Sequence, residues 1–140
     1  MSTAEARIAV LGLGYVGCVT AACLAKLGHR VTGVDRDQFK VSSVLAGKAP
    51  FYEPGLEPII AEAVAAQRLF ATPDLTAALQ DADVALICVG TPSESNGNLG
   101  LDQLRRVSEE IEALMQGRSR RLIIAVRSTC LLYTSDAADE

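Results

Sequence analysis

Residues 7–17 read RIAVLGLGYVG, an apolar run that leads directly into three closely spaced glycines. The apolar residues at 7–11 predict a β-strand. After the glycines, apolar residues recur at helical spacing over 16–27, and Gly28 follows as a natural end for a helix. This stretch therefore predicts a strand, a glycine loop and a helix in direct succession.

A second apolar run, RVTGV at 30–34, follows the helix and leads into Asp35. Between a strand and a helix each glycine has its own role. Gly12 permits a tight turn, Gly14 lets the backbone approach a pyrophosphate, and Gly17 lets the helix pack against the strand. The helix N-terminus offers free N–H groups to the phosphates. The Asp35 carboxylate can accept hydrogen bonds from the hydroxyls of an adenosine ribose. The pattern predicts a site for the mononucleotide half of a nicotinamide cofactor.

Strands and helices alternate along the rest of the chain. Predicted strands lie at 69–72, 84–89 and 122–126, and predicted helices at 39–45, 56–64, 73–80 and 101–115. Such alternation is typical of parallel strands joined by right-handed helical crossovers. We expect an α/β fold of the Rossmann type, with a doubly wound parallel sheet between two layers of helices.

Polar clusters follow four of these strands, at 12–17, at Asp35, at 90–92 and at 127–129. The carboxyl ends of parallel strands meet at one edge of a sheet, and doubly wound sheets bind ligands there, where the strand order reverses. We therefore expect all four clusters to face one crevice.

The composition is that of an ordinary globular protein, since 49% of the 140 residues are hydrophobic, 21% are charged and the formal net charge is −4. The basic residues are scattered, so the sequence does not predict a nucleic-acid partner. No apolar run approaches the roughly 18 residues of a membrane-spanning helix. Residues 1–6 lack the features of a signal peptide. We expect a disordered leader at 1–6 and a cytoplasmic protein without a membrane partner.

The four cysteines, at positions 18, 23, 88 and 130, include no C-x-x-C pair. This spacing predicts neither a disulfide framework nor a metal site. We interpret the cysteines as core residues, and no nucleophile and base lie close together in the sequence. The chain therefore predicts a cofactor site without a reaction centre.

Several polar residues have a second, structural interpretation. Asp35 could cap the helix that follows it, and Lys40 could be a solvated surface lysine instead of a ribose contact. Arg36 could receive a 2′-phosphate, but the neighbouring acid would repel one, which favours NAD over NADP. Thr91 could either meet the cofactor or form a Thr-Pro turn. We expect His29 to cap the preceding helix or to meet solvent.

Five segments carry a resemblance to a known family: GLGYVG at 12–17, VD at 34–35, YEPGLE at 52–57, CVGTP at 88–92 and RST at 127–129. Over residues 7–129 they resemble the N-terminal NAD-binding domain of the UDP-glucose/GDP-mannose dehydrogenases. The resemblance implies an NAD-dependent, four-electron oxidation of a nucleotide sugar at C6, from alcohol to acid. The segment GTPSESNG at 90–97 is more similar to the GDP-mannose 6-dehydrogenase branch than to the UDP-glucose branch.

The resemblance also implies roles for single residues. The backbone of Tyr15 and Val16 would bind the pyrophosphate. Asp35 and Lys40 would bind the adenosine ribose. Thr91 and Thr129 would contact the cofactor nearer its reactive end. Glu53 belongs to a loop that is structural or close to the active site, and Tyr52 beside it could pack or bind. Members of the family usually form homodimers through a central helix further along the chain.

Residues 130–140 depart from the family, which continues after Arg-Ser-Thr with Val-Leu-Pro-Gly-Thr. The tail matches a reading frame of a common sequencing adapter, so we expect a non-native tail on a truncated reading frame. The thiol nucleophile of the family lies in a downstream Gly-Gly-x-Cys segment, which none of the four cysteines matches. We therefore expect this polypeptide to bind NAD without oxidising a nucleotide sugar.

Two other functions fit parts of the pattern. A regulatory dinucleotide-sensing module would need the glycine loop and Asp35, but not also the clusters around Glu53, Thr91 and Arg127. Other dehydrogenases of the same fold, such as 6-phosphogluconate or hydroxyacyl types, differ in the loop after the fourth strand.

Overall fold

The computed structural model describes residues 5–88, 102–118 and 121–127. Thr91 and Thr129, the segment at 90–92, Cys130 and the tail at 130–140 lie outside these residues. The helices and strands follow in this order: β1 Arg7–Leu11, α1 Tyr15–Lys26, β2 Arg30–Val34, α2 Gln38–Leu45, α3 Leu56–Ala65, β3 Leu69–Thr72, α4 Leu75–Leu79, β4 Val84–Ile87, α5 Asp102–Met115 and β5 Ile123–Val126.

The five strands form one parallel sheet in the order β3-β2-β1-β4-β5. The chain moves outward from β1 through β2 to β3, then returns to the other side of β1 for β4 and β5. Leu11 is paired with both Val34 of β2 and Ile87 of β4, so these three strands end level with one another. The predicted doubly wound sheet is confirmed, and its order reverses between β1 and β4, the position at which such sheets bind ligands.

Both faces of the sheet are covered, because side chains alternate along a strand. Ile8 and Val10 of β1 pack in a core with α1, α2 and α3. Ala9 and Leu11 point the other way and pack in a second core with α4 and α5. This burial on both faces explains why β1 is a nearly continuous apolar run. The predicted three layers are confirmed.

The turn after α1 fixes where β2 begins. The backbone N–H of Gly28 donates to the Ala25 carbonyl at 3.0 Å and that of His29 to the Leu24 carbonyl at 3.2 Å. This Schellman ending needs a left-handed residue, and Gly28 has φ of +105°. Of the two expectations for His29, the partly exposed side chain leaves solvent contact open, whereas capping of α1 is replaced by another bond: the Nδ1 accepts from the Ala6 N–H at 3.1 Å. His29 thus ties the entry of β1 to the turn before β2.

The predicted fifth strand is confirmed, and it lies at an edge. Its sequence is as apolar as that of the inner strands, but β5 is the outer strand on its side of the described sheet. Ile123, Ile124 and Val126 are all exposed. Within the described ranges, none of the helices combines the length and the apolar character needed to cross a membrane.

Candidate functional site

The glycine loop turns away from the end of β1 at Gly12, which has a backbone conformation that glycine adopts far more easily than other residues. Gly12 has φ of +106°, in the left-handed region that side chains disfavour. Its N–H donates to the Val34 carbonyl at 2.7 Å. The loop therefore starts its turn while still bonded to β2.

The other two glycines serve different purposes. A Cβ built on Gly17 would lie 1.8 Å from the Gly12 carbonyl oxygen and 3.3 Å from the Cβ of Cys88. Gly17 thus allows α1 to pack against the loop and the end of β4. A Cβ on Gly14 would meet no atom within 4 Å, and its φ of −72° is open to any residue. Among the described residues neither packing nor strain requires a glycine there, and the open space beside it gives a ligand room to approach the backbone.

The first turn of α1 presents backbone donors to the same place. Gly14 is the N-cap and supplies no side-chain acceptor, and the first intrahelical bond runs from Cys18 N–H to the Gly14 carbonyl at 2.8 Å. The N–H groups of Tyr15, Val16 and Gly17 therefore have no partner within the helix. No acidic residue stands in this turn. The helix dipole and these donors together favour an anion.

Asp35 joins the glycine loop to the end of β2. Its Oδ2 accepts from the Leu13 N–H at 2.8 Å, and its Oδ1 accepts from the Asp37 N–H at 2.8 Å. The Lys40 Nζ lies 4.0 Å from the same Oδ2, and the Lys40 and Asp35 side chains are only 34% and 16% exposed. An ionised carboxylate offers about four acceptor sites, so Asp35 retains capacity for two ribose hydroxyls.

These contacts correct two alternatives drawn from the sequence, namely that Asp35 caps the next helix and that Lys40 is a solvated surface lysine. Asp35 does not cap the next helix; Asp37 is the N-cap of α2 and accepts from the Phe39 N–H at 2.9 Å. Lys40 is not a solvated surface lysine, because most of its side chain is covered and it lies beside Asp35. The structure thus places the cap of α2 two residues further along the chain than the alternative drawn from the sequence.

A small pocket of about 80 Å³ adjoins this junction. It lies between Gly12, Asp35 and Arg36 on one side and Arg106 and Glu110 of α5 on the other. Arg36 pairs with Glu110 at 3.5 Å, with both side chains well exposed. A larger pocket, of about 510 Å³, lies between α4 and the end of α5 at the opposite edge of the sheet, away from the glycine loop.

The loop at 49–55 reaches the first turn of α1. The ring of Phe51 lies 5.5 Å from that of Tyr15, tilted by 38°. The Glu53 carboxylate raises the pKa of Tyr15 through a hydrogen bond and through its negative charge. Tyr52, the neighbour in sequence, is 89% exposed.

Two of the cysteines are buried beneath the site. Burial raises the pKa of Cys18 to about 11, although the charge of Lys40 opposes the shift. Burial likewise raises the pKa of Cys88, against the charge of Arg127. Both thiols are therefore inert packing residues at neutral pH. The interpretation of all cysteines as core residues is wrong for Cys23, which is exposed.

The model of the UDP-glucose/GDP-mannose dehydrogenase family, NAD binding domain, matches residues 6–139. The chain belongs to this family. A GDP-mannose 6-dehydrogenase of Pseudomonas putida is 46% identical over 125 residues, which cover 89% of this chain and 28% of the relative. A UDP-glucose 6-dehydrogenase of Pseudomonas aeruginosa is 39% identical over 134 residues, 96% of this chain and 29% of the relative. The chain thus spans less than a third of the length of these relatives.

Solved structures of the family have the same fold. A ternary complex of GDP-mannose dehydrogenase from Pseudomonas aeruginosa matches with a TM-score of 0.86 and 45% identity, over 88% of this chain and 28% of that one. A UDP-glucose dehydrogenase from Pyrobaculum islandicum matches with a TM-score of 0.84 and 35% identity, over 90% of this chain and 29% of that one.

In this NAD-binding domain, the predicted residues Gly12, Gly14, Gly17 and Asp35 lie around one loop, and Lys40 lies beside Asp35. Sequence reasoning missed Leu13, whose backbone binds Asp35 and whose side chain is buried against Gly33. A Cβ on Gly33 would lie 2.5 Å from the Leu13 Cδ2. A glycine inside a predicted strand was the available signal, since it often marks a close approach.

Proposed function

We propose that this chain holds NAD for a nucleotide-sugar 6-dehydrogenase, with GDP-mannose as the sugar nucleotide and UDP-glucose as the alternative. The observation that carries the proposal is the Asp35 carboxylate, fixed 2.8 Å from the Leu13 N–H between the glycine loop and the end of β2. An acid at this point of a doubly wound sheet is suited to a ribose with free hydroxyls. The identity to GDP-mannose enzymes, higher than that to UDP-glucose enzymes, supports the choice of sugar.

Different groups of the chain would bind different parts of the cofactor. The N–H groups of Tyr15 and Val16, with the open approach at Gly14, would hold the pyrophosphate. Asp35 and Lys40 would hold the adenosine ribose, Asp35 as acceptor and Lys40 as donor. Thr91 and Thr129 are proposed to contact the cofactor nearer its reactive end.

Discrimination against NADP follows from the charges at the junction. A 2′-phosphate would meet the Asp35 carboxylate, and Arg36, which could offset that repulsion, is paired with Glu110. Bound NAD supplies a hydride acceptor. The substrate, the catalytic thiol and the dimer interface belong by this proposal to further parts of a cytoplasmic homodimeric enzyme.

Calorimetry with NAD and NADP tests the cofactor assignment. We expect NAD to bind and NADP to bind at least tenfold more weakly, and we expect Asp35→Asn to weaken NAD binding. Asp37→Asn is the matched control, because it changes an acid two residues away that caps α2. Equal weakening by both variants would contradict a ribose contact at Asp35.

We further propose that the domain ends near residue 129 and that 130–140 is a non-native tail. Genomic DNA that continues in frame through this tail would contradict that proposal. The chain alone is expected to bind NAD without turnover, and NADH formation that depends on the sugar nucleotide would refute this.

A further inference from the structure

The edge of the sheet at which the strands begin, opposite the glycine loop, carries a row of arginines. Arg7 is the first residue of β1 and Arg30 the first residue of β2, and the two are paired in the parallel register. Val31 is paired with Leu69, so Arg68, which precedes β3, stands level with Arg30. Three neighbouring strands therefore each place an arginine at this edge.

The three arginines differ in what their side chains bind. Arg68 donates to the Glu5 carboxylate at 3.0 Å and to the Gly28 carbonyl. Among the described residues, the guanidinium groups of Arg7 and Arg30 form no ion pair and no hydrogen bond. Neighbouring strands lie only about 4.8 Å apart, and like charges on paired residues destabilise a sheet. The fold thus keeps two positive charges side by side without a carboxylate to offset them, which an anionic ligand would do.

A pocket of about 210 Å³ opens between these two arginines and α4. Arg7, Arg30 and Thr32 line it from the sheet, and three alanines and Asp81 line it from α4 and the turn that follows. Asp81 forms no ion pair with either arginine among the described residues. The Asp83 carboxylate, at the same edge, accepts from the Arg7 backbone N–H at 3.0 Å. The pocket therefore combines two guanidinium groups and a hydroxyl with one acid, and small side chains leave it room for a ligand.

We propose that this pocket binds a phosphoryl group, carried by free phosphate or by a small phosphate monoester, with Arg7, Arg30 and Thr32 as its donors. A phosphate monoester carries nearly two negative charges at neutral pH and presents three acceptor oxygens, which match two guanidinium groups and a hydroxyl. A carboxylate brings one charge and two oxygens, and so would leave one arginine uncompensated. The pocket lies at the sheet edge opposite the glycine loop, so this proposal is independent of the proposed NAD site.

Nuclear magnetic resonance of the isotope-labelled full chain provides the test, because it reports each residue separately. Inorganic phosphate and glycerol phosphate are titrated in turn at constant ionic strength, the first as the free anion and the second as a monoester. We expect saturable shifts of the Arg30 side-chain Nε–H and the Thr32 amide. Binding at the glycine loop is followed separately through the Gly14 amide. Saturable binding of either probe at Arg30 supports the site, and the tighter probe identifies the form in which the phosphoryl group is bound.

Variants separate a built site from general attraction to positive charge. Arg7→Gln and Arg30→Gln should each weaken binding at Thr32 by about tenfold, the loss expected for one hydrogen bond to a charged group. Both positions are exposed, and the same spectra report whether each variant folds. Arg36→Gln is the matched control, because it removes the same charge at the opposite edge of the sheet and should leave this affinity unchanged. Shifts that do not saturate, or equal weakening by all three variants, would overturn the proposal.

Discussion

Replacing Gly17 by alanine should destabilise the fold more than the same replacement at Gly14. The new Cβ at position 17 would lie 1.8 Å from the Gly12 carbonyl oxygen and 2.9 Å from its carbonyl carbon. Both atoms belong to backbone that cannot rotate away as a side chain can. The helix or the loop must therefore move.

The loss in the free energy of unfolding of Gly17→Ala can be estimated from the backbone atoms that must move. Overpacking a well-packed site costs about 1–3 kcal/mol, and contact with fixed backbone belongs at the upper end of that range. Displacing Gly12 also strains its 2.7 Å bond to the Val34 carbonyl, which adds about 1 kcal/mol. We expect a loss of roughly 3–4 kcal/mol, a large part of the ~5–15 kcal/mol by which domains are stable.

Urea denaturation followed by circular dichroism measures the effect. At a slope of about 2 kcal/mol per molar, the midpoint of Gly17→Ala should fall by roughly 1.5–2 M. Gly14→Ala is the matched control: its Cβ meets no atom within 4 Å and its φ is unstrained, so its free energy of unfolding should change by less than about 1 kcal/mol. We expect Gly14→Ala instead to weaken NAD binding. A Gly17→Ala midpoint equal to that of the parent would refute the close contact between α1 and the loop.

Three further outcomes are expected. Gly33→Ala should lower the free energy of unfolding, measured by urea denaturation, by about 1–2 kcal/mol, because the new Cβ would lie 2.5 Å from the Leu13 side chain. Adding Leu13→Val, which makes that side chain smaller, should recover part of the loss, and no recovery would contradict the contact. Asp37→Ala should lower the free energy of unfolding by about 1 kcal/mol through loss of the α2 cap, whereas an unchanged value would show that the cap is dispensable. Burial raises the pKa of Cys18 to about 11, so at any pH below that value Cys18 holds less thiolate than an ordinary thiol. A thiol reagent at mildly alkaline pH should therefore label the exposed Cys23 before Cys18. Equal labelling rates would contradict the burial of Cys18.

The local part of this fold can be predicted from the sequence because its causes are local. The run at 7–17 contains a strand, a left-handed glycine and a helix start, each of which depends on neighbouring residues. The matching run at 30–34 supplies the next strand and its terminal acid. Parallel pairing then follows from the helical crossover between them.

Partnerships between distant segments could not be predicted in the same way. Nothing in the spacing places Phe51 against Tyr15, because the loop between α2 and α3 could leave the sheet in several directions. The role of Asp35 has a partner equally far away in the sequence. Its carboxylate accepts from the Leu13 N–H, 22 residues away, and from the Asp37 N–H, while Asp37 itself caps α2.

The two hydrogen bonds of Asp35 stabilise the fold and also position the proposed ribose acceptor. With one oxygen on Leu13 and the other on Asp37, the carboxylate fixes both the glycine loop and the turn into α2. Its position is therefore established before any ligand arrives, and an acceptor that is already in place loses little entropy on binding. The same double role explains why a variant at Asp35 cannot be interpreted from NAD affinity alone. Comparison with Asp37→Asn, which leaves the loop intact, controls for the loss of a neighbouring acid, and the free energy of unfolding of Asp35→Asn measures the support of the loop; the two measurements together isolate the contact to the ribose.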